Sequence, residues 1–256
     1  MTIAGSDSGG GAGIQADLNT FAALGVHGVT AITCLTAQTP KSVRLIESVK
    51  PSMVAAQIES ALSTFRPHAG KIGMLFSVKT VDAVIESLRP FPRVRLVVDP
   101  ILVSSSGTAL LRPGALRSFK TRLLPLATLI TPNIPEAETL TGRLIREPED
   151  MRAAARSLYE SMGRAVLLKG GHGKEGRIAM DLFYDGREEY MLTLPRVRGA
   201  TVHGTGCTLS AAITAGLARG ESLLRAIQAA KEFTTEAIAA HRRVQGQRIL
   251  GWNIRS

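Results

Sequence analysis

Apolar residues along this chain change period repeatedly. Short apolar runs at 1–4, 29–35, 69–75, 95–98, 126–130 and 165–168 predict buried strands. Between them, apolar residues three and four apart predict helices over 14–24, 51–65, 78–88 and 148–162. Such regular alternation calls for a parallel sheet with helices on both faces. The Asp185-Gly186 pair between the alternating stretches 178–184 and 189–194 predicts an antiparallel hairpin that interrupts the rhythm. A helix follows from Thr208, with Leu209, Ile213 and Leu217 on its core face, and a closing helix runs from 223 to about 243. Residues 245–256 carry no usable periodicity. The expected fold is therefore α/β: a three-layer sandwich with a mostly parallel central sheet and a small antiparallel hairpin, forming one domain over 1–256.

Composition narrows this only slightly. At 45% hydrophobic and 4% aromatic residues, the core is built from Ala, Val, Leu and Ile. The formal charge of +10 invites a nucleic-acid reading, but the basic residues are scattered apart from Arg242-Arg243, and few aromatics are present for base stacking. Small anionic substrates gain from the same field, and no nucleic-acid partner is expected. Cys34 and Cys207 are the two cysteines and lie far apart, which argues against a zinc site or a disulfide framework. With no signal peptide, membrane-length apolar run or lipidation motif, the expected location is the cytoplasm. The chain begins almost inside its first strand, which a shortened first strand or a mis-chosen start codon would explain.

The densest chemistry lies in His203-Gly-Thr-Gly-Cys-Thr-Leu-Ser210. Gly204 and Gly206 permit a tight turn whose N–H groups converge at a helix start, with Thr205, Cys207 and Thr208 around the point of convergence. That is an anion hole suited to phosphate or to a transferring phosphoryl group. Two readings of Cys207 fit: a proton acceptor whose thiolate is favoured by the helix N-terminus, or a small buried hydrophobe.

Other stretches add to it. Gly5-Ser-Asp-Ser-Gly-Gly-Gly-Ala-Gly13 has no lysine after its glycines, so it is not a Walker cradle but a loop able to close over a small substrate. Asp17 is expected on the next helix, facing that loop or solvent. Gln38 and Asp99 fall at carboxyl ends of strands, where ligands of open α/β sheets gather. Gln38 offers a donor and an acceptor to a heterocycle edge; Asp99 fits a metal–water shell or a solvated loop. In Asn133-x-x-Glu136, Pro135 starts a helix, so Glu136 is either a Mg²⁺-network ligand or a first-turn acid opposing the helix dipole. Lys169, followed by glycines and His172, can reach phosphate as a point charge.

Together, the motifs at 5–13, 131–136, 169–172 and 203–210 resemble those of the hydroxymethylpyrimidine/phosphomethylpyrimidine kinases, members of the ribokinase-like superfamily. The resemblance runs from residue 1 to about 241. It implies ATP and Mg²⁺ as co-substrate and cofactor, and successive phosphorylation of 4-amino-5-hydroxymethyl-2-methylpyrimidine and its monophosphate for thiamine synthesis. By the same resemblance Gln38 reads the pyrimidine edge, and Gly5, Ala12, Asp17, Met74 and Ile101 line its pocket. Asn133, Glu136, Lys169 and Thr208 serve ATP and its Mg²⁺, with Asp99 a second metal candidate; Gly204, Thr205, Gly206 and Cys207 are catalytic. It also implies a homodimer, and pyridoxal is the alternative substrate. Two departures stand out: Ser104-Ser105-Ser106-Gly107 lacks the family's usual lysine, and the tail lacks the family's Gly- and His-rich ending. A salt-sensitive nucleic-acid binder and a covalent cysteine enzyme are the competing classes; the second lacks a visible His–Asp pairing to activate Cys207.

Overall fold

The structure, a computed structural model, describes residues 1–104, 107–171, 178–197 and 202–252. Ser105, Ser106 and His172, singled out above, lie outside the described residues. The elements in order are β1 (Thr2–Asp7), α1 (Gly13–Ala23), β2 (Thr30–Thr39), β3 (Ser42–Ser48), α2 (Pro51–Phe65), β4 (Ala69–Ile72), α3 (Val78–Leu88) and β5 (Arg95–Val98). An irregular helical stretch follows: 3-10 turns at Pro113–Ala115 and Leu124–Leu126 enclose α4 (Leu116–Ser118) and a π turn at Phe119–Leu123. Then come β6 (Leu129–Ile130), α5 (Ile134–Thr141), α6 (Pro148–Met162), β7 (Ala165–Lys169), β8 (Ile178–Tyr184) and β9 (Glu189–Pro195). Helices α7 (Thr205–Ala218) and α8 (Leu223–Ala239) precede a small hairpin, β10 (Arg242–Val244) and β11 (Gln247–Ile249).

Nine strands form one sheet in the order β3-β2-β1-β4-β5-β6-β7-β8-β9. The six from β2 to β7 are parallel, and antiparallel pairs cap both edges, β3 on β2 and β8–β9 on β7. Side-chain alternation explains the layers. On β5, Leu96 and Val98 face the cluster shared with α2, α3, α5 and α6, while Val97 faces the cluster shared with α7 and α8. Helix α1 packs beside α7 on that second face through Phe21, Ala211 and Ala215. The chain leaves β1 for β2 on one side and returns to β4 on the other, so a crevice opens at the carboxyl edge beside β1.

The expected three-layer, mostly parallel sandwich is therefore what forms, with local differences. Strand β1 does not stop at Ala4: it continues to Asp7, paired Ser6 to Leu35 and Asp7 to Thr36 after an irregularity at Gly5. A Cβ on Gly5 would sit 2.7 Å from Cys34 Sγ, which explains the glycine there. Strand β2 runs on to Thr39 because β3 pairs with it. The expected strand at 126–130 shrinks to Leu129–Ile130, since Phe119, Leu123 and Leu124 are buried from helical turns before it. Helix α8 ends at Ala239 rather than near 243, and the tail folds into β10–β11.

Candidate functional site

The residues at the carboxyl edge surround one cavity of about 890 Å³. Its floor is the start of α7. Gly204 is the N-cap with φ 87°, and no side chain caps this helix end. The first of its amides to bond back along the chain is that of Thr208, to the Gly204 carbonyl at 2.9 Å; among the described residues no backbone carbonyl accepts from the amides of Thr205, Gly206 or Cys207. A Cβ on Gly204 would overlap the Gly11 carbonyl, so the glycine loop and the α7 turn touch backbone to backbone. At Gly206 a Cβ would lie 3.3 Å from Lys169 Nζ, and its absence lets that ammonium approach the helix start.

A buried charge network lines one side. Lys169 Nζ donates to Asp99 Oδ1 at 2.6 Å, and Asp99 also accepts from the hydroxyls of Thr131 at 3.2 Å and Ser210 at 3.4 Å. Burial pulls the Lys169 pKa down, but Asp99 and Glu136 outweigh it and hold it above the usual lysine value. Asn133 and Glu136 cap α5 reciprocally: the Glu136 N–H donates to Asn133 Oδ1 at 2.9 Å, and the Asn133 N–H donates to Glu136 Oε2 at 2.8 Å. The first-turn reading of Glu136 is thus realised, and the same carboxylate also borders the cavity. Burial pushes Glu136 up to about 7, with Lys169 opposing and Asp99 reinforcing.

The opposite side carries the residues expected at a heterocycle. Gln38, Gly5, Ala12, Met74 and Ile101 all line the cavity. Gln38 Nε2 lies 3.0 Å from His203 Nε2, which lies 3.5 Å from Asp7 Oδ2. Asp7 shapes the glycine loop by accepting from the N–H groups of Gly9, Gly11 and Ala12 at 2.8, 3.2 and 2.8 Å. Burial would raise Asp7, yet His203 and these backbone donors more than offset it and hold the carboxyl below its usual value.

Three expectations change. Asp17 faces neither loop nor solvent: it is fully buried, accepts from Thr2 Oγ1 at 2.6 Å, and pairs with the equally buried Lys71 at 2.9 Å, outside the cavity wall. A carboxylate this deep needs a partner, and Lys71 supplies it. Lys71 is lowered by burial but raised further by Asp17, Cys207 and Asp99, so it stays charged. Thr208 does not reach the cavity; helical rotation turns it inward, fully buried, where its hydroxyl accepts from Trp252 Nε1 at 3.3 Å. Cys207 does border the cavity, but its thiolate is not favoured: burial pushes the thiol up to about 11, against Lys71. Packing among Ala12, Ala16, Ile101 and Trp252 removes the water a thiolate needs, and this outweighs the helix end.

Sequence reasoning passed over Asp7, Lys71, the Asp181–Lys231 pair and the β10–β11 hairpin. Lys231 Nζ donates to Asp181 Oδ2 at 2.7 Å, and Asp181 Oδ1 accepts from the Gly170 N–H at 3.0 Å, fixing the turn after Lys169. Asp7 had a local signal, an Asp two residues before a glycine run, which can turn the backbone through its own side chain. The hairpin had another in Gln245-Gly246, both at positive φ. Lys71 sits in an apolar strand and pairs across 54 residues, with no local signal.

Among known proteins, a sequence model of the family described as phosphomethylpyrimidine kinase matches residues 7–250. The hydroxymethylpyrimidine/phosphomethylpyrimidine kinase of Rhizobium meliloti is 48% identical over 246 residues, 96% of this chain and 92% of that one. The crystal structure of phosphomethylpyrimidine kinase from Clostridium difficile superposes with a TM-score of 0.82 at 40% identity, over 93% of this chain and 97% of that one. The pyridoxal kinase of Staphylococcus aureus in complex with AMP-PCP and pyridoxal gives 0.88 at 34% identity, over 98% and 92%.

Proposed function

Because the chain belongs to the phosphomethylpyrimidine kinase family, we propose that it phosphorylates the hydroxymethyl group of 4-amino-5-hydroxymethyl-2-methylpyrimidine and then the resulting monophosphate, the steps that prepare the pyrimidine half of thiamine. As a kinase of this family it uses ATP as phosphoryl donor. One observation carries the reading: an uncapped helix start, Lys169 and Gln38 border a single cavity.

In this reading the pyrimidine lies against Gly5, Ala12, Met74 and Ile101, with Gln38 at its edge and its hydroxymethyl arm toward α7. The amides of Thr205, Gly206 and Cys207 receive the charge that spreads over the equatorial oxygens during transfer. Lys169 leaves Asp99 to meet ATP phosphate, a short move for a flexible ammonium that is already charged. Among the described residues no three His, Cys, Asp or Glu side chains converge, a donor set that fits Mg²⁺ brought with phosphate and water rather than caged by protein. Asn133, Glu136 and Asp99 are the residues that would hold it; when bound, it neutralises charge on the phosphates.

Cys207 stands at the attacking hydroxyl and takes its proton in the fraction of molecules whose thiol has ionised. With the thiol at about 11, ionisation at pH 7 costs on the order of 5 kcal/mol. A loose transition state lowers the demand, because the alcohol proton then leaves late. The transfer rate should therefore climb with pH through the alkaline range.

Pyridoxal is the second reading, favoured by the closer superposition on the pyridoxal kinase. ADP release with the pyrimidine alcohol, its monophosphate and pyridoxal offered separately tests both; turnover with pyridoxal alone reverses the assignment. The alcohol should also protect the fold thermally without nucleotide, since saturation to ~100 times its Kd stabilises by about 2.7 kcal/mol. We also place the enzyme in the cytoplasm as a homodimer. No helix of the described residues is long and apolar enough to cross a membrane, and the edge strand β3 presents an exposed Leu45 that a second copy would cover. Light scattering at micromolar concentration checks the dimer.

A further inference from the structure

The tail doubles back onto the start of α7. After β11, Leu250 is buried with Val202 and Ala237, which welds the tail to the segment entering the anion hole. The Gly251 N–H donates to the Ala237 carbonyl at 3.1 Å, and a Cβ on Gly251 would fall 2.3 Å from the Ala240 carbonyl oxygen, so only glycine lets the chain pass this close to the end of α8. That passage delivers Trp252 to the inner side of α7. Its ring packs against the cluster formed by Ala12, Ala16 and Cys207, and its indole N–H donates to the Thr208 hydroxyl at 3.3 Å. Thr208 is fully buried and supplies the first amide that closes the helix, onto the Gly204 carbonyl. One side chain therefore packs against the cluster that holds the glycine loop and the proposed proton acceptor together, and bonds to the first closed turn behind the anion hole.

We infer that Trp252 is a positioning residue for phosphoryl transfer: it braces the first turn of α7 from behind and fixes where the Thr205–Cys207 amides point. The inference rests on the reading of α7 as the phosphoryl site. Nothing in the reaction touches Trp252, so its effect belongs to the geometry of the hole and not to binding of either substrate. Transfer between oriented groups is steep in distance; a displacement of about 1 Å far from the chemistry can cost roughly 100-fold. A loosened first turn should lower kcat while KM for ATP and for the alcohol holds.

Trp252 is the chain's single tryptophan, so its emission also reports on the hole directly. The experiment measures kcat, both KM values and Tm for the wild type, Trp252→Phe, Thr208→Val, Thr208→Ser and the double variant Trp252→Phe/Thr208→Val, with emission of the wild type titrated with ADP. Phe keeps the ring packing and loses the N–H, Val keeps the shape of Thr and loses the acceptor, and Ser restores the acceptor. Trp252→Phe and Thr208→Val should each lose about 5- to 30-fold in kcat with KM within about twofold, and Thr208→Ser should recover most of the rate. The double variant should be no slower than the slower single, because both remove one contact. ADP should shift the wild-type emission. A wild-type kcat in Trp252→Phe, losses that multiply in the double variant, or emission indifferent to saturating ADP would overturn the brace. A folded wild type that releases ADP with none of the three substrates overturns instead the reading on which it rests.

Discussion

Two helices start at the same edge of the sheet, and they use their first amides in opposite ways. Helix α5 closes itself: Asn133 and Glu136 consume each other's N–H groups, so its start is electrostatically finished before any ligand arrives. Helix α7 begins at Gly204, whose missing side chain leaves no cap and whose positive φ turns the backbone into the cavity. The contrast teaches that a helix N-terminus serves chemistry where the sequence withholds a capping side chain, and that a carboxylate at a capped start is available at its outer face only. Glu136 both caps α5 and borders the cavity, and burial there pushes its carboxyl up to about 7.

The largest effect should come from closing the open start. Gly204→Ala places a Cβ into the Gly11 carbonyl at a φ that costs an L residue roughly 1–2 kcal/mol before the overlap is counted. Activity should fall by at least ~10³-fold, the scale of losing more than one oxyanion donor, with Tm lowered. ADP release and thermal melts check it; a near-normal rate would mean that the backbone contact is not needed.

Next comes Cys207→Ala, which leaves the amides in place and removes the thiol. Turnover should drop about 10²- to 10³-fold with nucleotide affinity little changed, and the alkaline rise of the wild-type rate should vanish. Cys207→Asp should recover part of the rate. Full turnover in the alanine variant would return Cys207 to a packing role.

Glu136→Gln sharpens the comparison from the other helix, since Gln can keep the reciprocal cap. Activity should fall about 10-fold and the Mg²⁺ requirement should rise. Stability should move the other way. Glu136 keeps its proton up to about 7 when folded, against an ordinary value of 4.5, so the folded state binds more protons between those values. Its contribution is present below 4.5 and is lost as pH rises through 7. The variant should therefore melt higher than wild type at pH 8, with the gap closing toward pH 5. Equal melting curves at both pH values would place the carboxylate in water.

The smallest effect belongs to Asn133→Ala, an ordinary cap loss of about 1 kcal/mol, seen in denaturant melts, with activity reduced only a few-fold.

The layers were legible because burial writes its period locally: alternating Leu96, Val97 and Val98, or Leu209, Ile213 and Leu217, need no distant partner to be recognised. The glycines of the α7 turn, Gln38 and Lys169 were legible for the same reason, each lying at a strand end or helix start. What stayed hidden depends on distant partners. Asp17 looks like a ligand-facing acid until Lys71 appears under it from β4. The Cys207 thiol looks activated until the fold buries it in a cluster with Ala12 and Ala16, against which Trp252 packs from 45 positions later. Strand β3 earns its place by pairing with β2, and its mixed pattern, with Leu45 half out in solvent, hides it.

The open start of α7 can be tested without turnover. In ¹⁵N-labelled protein saturated with AMP-PCP, Mg²⁺ and the pyrimidine alcohol, the amide resonances of Thr205, Gly206 and Cys207 should move far downfield and gain protection from exchange, while those of Asn133 and Glu136, already bonded within α5, should keep their protection. If the complex forms and the α7 amides stay where they were, the phosphoryl group is received elsewhere and the assignment of this helix start is wrong.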